Sequence, residues 1–193
     1  MTEISNQALA ILLIVAIVAT VGETLFLVSR IQIPLETTGA ATGITKVNVS
    51  SAVIISLPVS TVDFGTLFQG DSKNTTTGSP GPLIVQNDGT VSVNVSIARD
   101  AASSPLFSGS GGGDNTATFQ FEVANSTEPG SFNWAGSKTT WNNVPGTSAV
   151  SAIAQLNYSD ATDSAAIELL VKVPMDEPTG QKNETLVFTA QQA

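Results

Sequence analysis

An unbroken apolar run near the N-terminus constrains the fold of this chain more than any other feature. The run extends from Ala8 to Ala19 and resumes from Leu25 to Val28. A helix that is apolar on all sides cannot lie on a water-facing surface, so it requires lipid, a protein core or other copies of itself. The uncharged stretch from Ala8 to Gly22 spans only about 22 Å, against roughly 30 Å of bilayer hydrocarbon.

The position of the first basic residue bears on how this segment is used. A secretory signal begins with Lys or Arg before its apolar run, whereas the first basic residue here, Arg30, follows the run. By the positive-inside rule alone, Arg30 would place the rest of the chain in the cytoplasm, which conflicts with the glycosylation signals described below. A basic leader removed before Met1 resolves this conflict, and we therefore expect Met1 to be the mature N-terminus.

This apolar segment resembles the N-terminal helix of the type IV pilin-like superfamily, in particular archaeal pilins and archaellins. The resemblance covers residues 1 to about 33. It implies a continuous helix from Ile4 to Val28 that leaves the membrane and packs with other copies in the core of a filament. Glu3 departs from the bacterial pattern, in which the acidic residue is fifth, so the pairing of that residue with a neighbour's terminal amine is not carried over. The alternative is a plain membrane anchor. The assembly residues expected in the filament core are Leu9, Leu12, Leu13, Ala16, Ile17 and Val21.

A change in hydrophobic period predicts a second domain. Residues 34–43 are mostly polar and contain glycine, which is typical of a hinge. From residue 44 onward apolar and polar residues alternate, as in strands with one buried face. We therefore divide the chain into an N-terminal helix of residues 1–33, a hinge of residues 34–43 and an extracellular β domain of residues 44–193.

About seven short strands are predicted in the β domain. Asn87-Asp88-Gly89 tolerates positive φ and predicts a hairpin turn between two of them. The segment 174–183 predicts a last hairpin near the C-terminus. The strand residues are Val47, Val49, Val53 and Ile55; 62–68; 82–86; Val91, Val93, Val95 and Ile97; Phe119, Phe121 and Val123; 149–158; Ile167, Leu169, Val171 and Val173; and Leu186, Phe188 and Ala190.

The predicted fold is mainly β: a long N-terminal hydrophobic α-helix followed by an antiparallel β-sandwich of immunoglobulin-like or jelly-roll kind. No amphipathic helical window follows residue 34. The alternation leaves the strand topology open.

Composition excludes several classes of function. The chain has no His and no Cys, which removes imidazole and thiolate nucleophiles, disulfides and the usual zinc sites. Its net charge of -9 and seven Lys and Arg residues argue against nucleic-acid binding. We expect no catalytic residues, no cofactor and no metal, and no acidic pair lies in the aromatic cleft pattern of a glycosidase.

Two acidic segments leave calcium open as an alternative. Asp160 and Asp163 form one, Asp176 and Glu177 the other, and Asp114 lies beside a glycine-rich loop. Because the spacing of an EF-hand is absent, we interpret these residues as solvated turn carboxylates.

Six Asn-x-Ser/Thr sequons predict N-linked glycans, with at least three of them modified. Asn48 and Asn94 fall on the polar side of predicted strands, and Asn74 and Asn183 fall in predicted turns. A surface that is simply rich in Ser, Thr and Asn is the alternative. The sequons are Asn48, Asn74, Asn94, Asn125, Asn157 and Asn183.

The residues and the resemblance together predict a structural subunit of an extracellular cell-surface filament. The chain would be held in the membrane before assembly and would then form a homopolymer, with helices inside and glycosylated β-sandwiches outside. The alternative is a membrane-anchored, monomeric adhesion or carbohydrate-binding module. In that case Trp134, Trp141 and Tyr158 would stack on sugar rings.

Overall fold

The structure, a computed structural model, describes residues 6–30, 46–48 and 50–193, with side chains in the first segment described from Asn6 to Phe26. The chain divides into two compact units, residues 1–47 and 48–193. Within the described ranges, the first unit contains one apolar helix and the second contains two antiparallel sheets, so the protein is mainly β. Met1, Glu3, Ile4, Val49 and the predicted hinge of residues 34–43 lie outside the described residues.

The N-terminal helix, α1, extends from Asn6 to Arg30. Its two threonines keep their polar atoms inside the helix, because the Thr20 hydroxyl donates to the Ala16 carbonyl at 3.0 Å and the Thr24 hydroxyl donates to the Thr20 carbonyl at 2.7 Å. The helix predicted from Ile4 to Val28 is therefore confirmed from Asn6 to Val28, and it continues for two further residues.

The second unit contains nine strands in its described part and one 3₁₀ turn, Trp134–Gly136. In chain order the strands are β1 (Ile55–Val59), β2 (Ser72–Asn74), β3 (Leu83–Asn87), β4 (Val93–Arg99), β5 (Phe119–Asn125), β6 (Asn142–Asn143), β7 (Val150–Leu156), β8 (Ser164–Lys172) and β9 (Leu186–Gln192).

All paired strands are antiparallel. The larger sheet has the order β1-β3-β8-β5-β6, and the smaller sheet has the order β7-β4-β9. Strand β8 lies at the centre of the larger sheet: β5 pairs along one side of it, while β3 and β2 pair with its first and second halves.

One hydrophobic core is built from residues of both sheets. Val85, Phe121 and Ile167 of the larger sheet are 0% exposed, as are Ile97 and Ile153 of the smaller sheet. Burial of each such side chain contributes about 1.5–3 kcal/mol. The alternation predicted for β4, β5 and β8 is confirmed, since Val93, Val95, Ile97, Phe119, Phe121, Val123, Ile167, Leu169 and Val171 are all buried.

Both predicted hairpins are wrong. Strands β3 and β4 lie in different sheets, and so do β8 and β9. Asn87 instead begins a crossing between the sheets, and its buried side-chain nitrogen donates to the carbonyls of Val91, Leu156 and Asn157 at 3.0, 3.2 and 2.9 Å. Gly89 is needed for a close approach, because a Cβ there would lie 2.3 Å from the carbonyl oxygen of Ala52.

Two predicted strands also differ from the structure. Residues 62–68 form no strand, although Val62, Phe64 and Leu67 pack against the core. The first strand begins at Ile55, and Val47, which was predicted to lie in it, is 77% exposed. Apolar and polar residues alternate before Ile55 and in residues 62–68. Among the described residues, however, no strand pairs with either of these stretches.

Candidate functional site

The first candidate site is the surface of α1. From Asn6 to Phe26 the helix has a mean hydropathy of 2.5, and none of that stretch is buried in the chain. Its 21 residues are about 31 Å long, which matches the hydrocarbon thickness of a bilayer. The helix is therefore long and apolar enough to cross a membrane, although the uncharged stretch within it is shorter.

The predicted assembly residues are all exposed. Leu12 is 69% exposed and Leu13 63%, while Ile17 and Val21 are each 53% exposed. At 100° per residue the six positions cover about half of the helix circumference. The rest of the surface is also apolar, with Ile14, Val18 and Leu25 at 60%, 67% and 66% exposure. The complete set of predicted positions, Leu9, Leu12, Leu13, Ala16, Ile17 and Val21, thus forms part of a wider apolar surface.

Three sequons present an exposed asparagine. Asn48 precedes β1, Asn125 is the last residue of β5, and Asn183 lies in the loop between β8 and β9. An oligosaccharide needs room around the side-chain nitrogen, and these three positions meet that requirement best.

The other three sequons are half-buried and hydrogen-bonded. Asn94 accepts a bond from the backbone N–H of Gln155 at 3.0 Å, and the Asn157 side-chain nitrogen donates to the Thr162 hydroxyl at 2.9 Å. Asn74 accepts from the Thr76 hydroxyl at 2.8 Å, and it lies at the end of β2 instead of in the predicted turn. A glycan attached to the Asn157 side-chain nitrogen would compete with the hydrogen bond that this nitrogen donates to Thr162.

Glu177 is not the solvated turn carboxylate that we expected. It is 3% exposed and accepts hydrogen bonds from the backbone N–H groups of Ser108 at 2.9 Å and Gly109 at 2.6 Å. Lys182 forms an ion pair with it at 2.5 Å. Burial raises the pKa of Glu177, but the Lys182 contact and the two backbone hydrogen bonds outweigh burial and hold the pKa below its ordinary value. Glu177 therefore ties the loop after β8 to the glycine-rich loop before β5.

Asp163 is also buried, at 4% exposure, and its Oδ1 atom has no hydrogen-bond partner. Burial, followed by the negative charges of Glu128, Asp160 and Asp88, raises its pKa. Glu128 accepts from the backbone N–H groups of Asp163 at 2.9 Å and Ser164 at 3.0 Å. Despite this local charge, no group of three or more acidic residues in the described parts of the chain is arranged to hold a metal ion.

Asp114 forms a two-pronged ion pair with Arg99, with Nε–Oδ1 and Nη2–Oδ2 distances of 2.8 Å. The hydrogen bonds from Arg99 lower the pKa of Asp114. Near this pair, burial raises the pKa of Glu184 to about 7, against the opposing effect of a 2.6 Å hydrogen bond from the backbone N–H of Leu106. The Oε1 atom of Glu184 is buried without a partner.

Sequence reasoning missed Arg99, Glu128, Glu184 and Lys182. The partners of Arg99, Glu128 and Glu184 lie in other segments, for example 78 residues apart for Leu106 and Glu184, whereas Lys182 and Glu177 share one loop. No spacing rule on a single sequence connects such residues, because the contact exists only once both sheets have formed.

The three aromatic residues of the carbohydrate alternative differ in exposure. Trp134 is 52% and Tyr158 51% exposed, whereas Trp141 is half-buried. The Trp134 ring stacks on the Phe132 ring, with the ring centroids 5.8 Å apart. Trp134 thus presents a supported aromatic face, and the predicted set of three does not stack together.

No known family model matches this chain, and no curated protein matches it.

Proposed function

We propose that this protein is the structural subunit of an extracellular cell-surface filament, as in archaeal pili and archaella. The observation that carries the proposal is the helix from Asn6 to Phe26, whose side chains are exposed on every side of the single chain. A bilayer covers such a surface before assembly, and a bundle of identical helices covers it afterwards. The subunit is a homopolymer component and has no catalytic role, cofactor or metal.

The proposed outer layer consists of the β unit carrying N-linked glycans. Asn48, Asn125 and Asn183 are the three positions at which a glycan finds an exposed side chain. We expect the native chain to exceed its 19.8 kDa polypeptide mass by at least three glycans. Peptide mapping should find them at these sites first, and an unmodified intact mass would contradict this expectation.

We further propose that the two sheets form a sandwich of the jelly-roll kind. In immunoglobulin domains the last two strands are neighbours in one sheet. Here the last two strands, β8 and β9, belong to different sheets, as do β3 and β4. Repeated crossing between two sheets favours the jelly-roll arrangement over the immunoglobulin-like one.

Electron microscopy of material sheared from the cell surface tests the filament proposal. Gold-labelled antibodies raised against residues 48–193 should decorate filaments along their length, and mass spectrometry of those filaments should find this chain as the main component. Antibody labelling that is confined to the membrane, with no labelled filament, would refute the proposal.

A second function is favoured by one observation, the exposed Trp134 stacked on Phe132. A monomeric, membrane-anchored adhesin would use this face to hold a sugar ring. Trp134→Ala should then abolish retention on immobilised polysaccharide, while Trp141→Ala, at a half-buried position, serves as the comparison. Retention that is equal for the two variants and the unmodified protein would exclude this use of Trp134.

A further inference from the structure

Among the residues that the structure describes, strand β9 is an edge strand without a neighbour on its outer side. Its seven residues pair continuously with β4, from Leu186 opposite Arg99 to Gln192 opposite Val93. Hydrogen bonds from its outer side to any other described residue are absent. The sequence Leu-Val-Phe-Thr-Ala-Gln-Gln contains no proline and no charge, and the pairing contains no bulge.

The other edges of the two sheets are protected. Strand β1 carries Pro58 and an irregular register, and β2 and β6 contain only three and two residues. The outer side of β7 is covered. The backbone N–H of Lys138 donates to the Ala152 carbonyl, and the backbone N–H of Asn133 donates to the Ala154 carbonyl, each at 2.9 Å. Proteins commonly shorten, bend or cover their edges in these ways, and β9 lacks all of these features.

The ladder with β4 shows which backbone groups of β9 face outward. The backbone N–H of Asp100 donates to the Thr185 carbonyl, and the backbone N–H of Ala193 donates to the Ser92 carbonyl. Since hydrogen-bonded pairs alternate along an antiparallel ladder, every second residue from Thr185 to Ala193 bonds to β4. The intervening residues, Leu186, Phe188, Ala190 and Gln192, point their N–H and C=O groups away from the sheet.

We propose that β9 of one copy pairs antiparallel with β9 of a second copy, with the two Thr189 residues facing each other across a two-fold axis. In this register Leu186 lies opposite Gln192, and Phe188 opposite Ala190, so all outward backbone groups are paired and each large ring meets a small side chain. A shift by two residues places either Phe188 or Ala190 opposite itself and leaves outward groups unpaired at the ends.

Charge does not oppose a second copy as the partner at β9. The chain carries a net charge of -9, so two copies repel each other over most of their surfaces. Strand β9 is uncharged along its whole length, and direct opposition of two copies therefore brings no like charges together. Leu186, Phe188 and Ala190 are partly exposed at the border of the core, and an added strand would extend the sheet beside them.

The two-fold relation has a consequence for filaments that rests on the proposed function. A two-fold contact uses the same strand of both partners and is complete with two copies, so it cannot by itself join successive subunits into a polymer. It can join a subunit of one polymer to a subunit of another polymer lying beside it. The β9 edge would then act in the lateral bundling of filaments, whereas α1 acts in the formation of each filament.

Disulfide trapping tests the pairing in the full-length chain held in detergent micelles. The chain contains no cysteine, so each introduced cysteine is the only one present. Directly opposed residues have Cα atoms about 4.5–5.5 Å apart, which suits a disulfide, so Thr189→Cys should form covalent dimers under mild oxidation. Gln191→Cys lies on the same exposed face of the same strand, but its two copies would be about 13 Å apart, beyond disulfide reach.

We expect at least about tenfold more dimer for Thr189→Cys than for Gln191→Cys. A mixture of Val187→Cys and Gln191→Cys proteins should give the mixed dimer, because these two positions oppose each other, while either protein alone should not. Equal cross-linking of Thr189→Cys and Gln191→Cys, or monomers throughout, would overturn the pairing. A partner strand from a different protein would also appear as monomers throughout.

A backbone variant extends the test to filaments. Ala190→Pro removes an N–H group that faces outward and leaves the bonds to β4 in place. It should abolish the Thr189→Cys dimer and the side-by-side bundles seen by electron microscopy, while single filaments persist. Bundles that survive in Ala190→Pro would overturn the bundling role. An absence of filaments from the unmodified protein would instead refute the proposed function and leave the cross-linking result unaffected.

Discussion

The helix and the β unit carry similar apolar side chains but expose them to opposite extents. Leu13 of α1 is 63% exposed, whereas Phe121 of β5 and Ile167 of β8 are both 0% exposed. In the β unit, a period of two gives each strand one apolar face, and two such faces cover each other within one chain. In α1 the apolar residues occupy every face, so no single packing surface within the chain could cover them. The hydrophobic pattern therefore determines whether a chain meets its own need for burial or depends on a partner.

The largest effect is expected from a charge placed on the helix. Leu13→Asp should abolish polymers, because it would bury an unpaired carboxylate between packed helices. The thermal unfolding of the β unit should remain unchanged, since Leu13 belongs to the other unit. Electron microscopy and a thermal melt of the detergent-solubilised protein measure the two properties. Leu13→Ile is the matched control and should still polymerise, whereas polymers of normal width from Leu13→Asp would show that the helix does not drive assembly.

The reverse experiment removes a side chain from the β core. Phe121→Ala should lower the free energy of unfolding by about 3–5 kcal/mol, through lost burial and the cavity that remains. Phe68→Ala is the same substitution at a residue that is 76% exposed, and it should change stability by less than about 0.5 kcal/mol. Urea unfolding monitored by tryptophan fluorescence measures both. Similar losses for the two variants would mean that Phe121 does not form part of the core.

The same contrast shows how much of the structure could be predicted. Periodicity located β4, β5 and β8 and the apolar helix, because local alternation is enough to fix which face is buried. It failed at Asn87 and Gly89, where the deciding contacts are with Leu156, Asn157 and Ala52, all distant in sequence. The pairing of each strand depends on such contacts. So does the burial of Asp163 and Glu177, the carboxylates that we expected in solvent. The exposed sequons could be predicted from local pattern in part, whereas the burial of Asn94 and Asn157 follows from their neighbours in space.

The buried carboxyl group of Glu184 makes the stability of the β unit depend on pH. Its pKa is raised from 4.5 to about 7 by burial, so the folded chain holds a proton that the unfolded chain releases between those two values. Stability contributed by this group is therefore present in acid and is lost as pH rises from about 4.5 to 7. Glu184→Gln remains uncharged, so its melting temperature should fall less than that of the unmodified protein over this range. Parallel pH profiles for the two proteins would show that Glu184 titrates normally.

The smallest effect is expected from a pair of like charges within the larger sheet. Glu122 of β5 lies directly opposite Glu168 of β8, and burial together with this neighbour raises the pKa of Glu122. Opposed like charges destabilise a sheet, and an opposite-charge pair stabilises it by roughly 0.2–1 kcal/mol. Glu122→Lys should therefore increase the free energy of unfolding by about that amount, and Glu122→Gln by less.

Glu168 is the unsuitable member of the pair to replace, because the Thr75 hydroxyl donates a hydrogen bond to its carboxylate and Thr75 is 1% exposed. Glu168→Gln should therefore gain less than Glu122→Gln, although each variant removes one of the same two charges. Urea unfolding at low salt and at about 1 M salt separates charge from packing, since screening should reduce the gain of Glu122→Lys. A gain that is independent of salt would attribute the effect to the longer side chain, and a loss of stability would show that the two carboxylates do not repel each other.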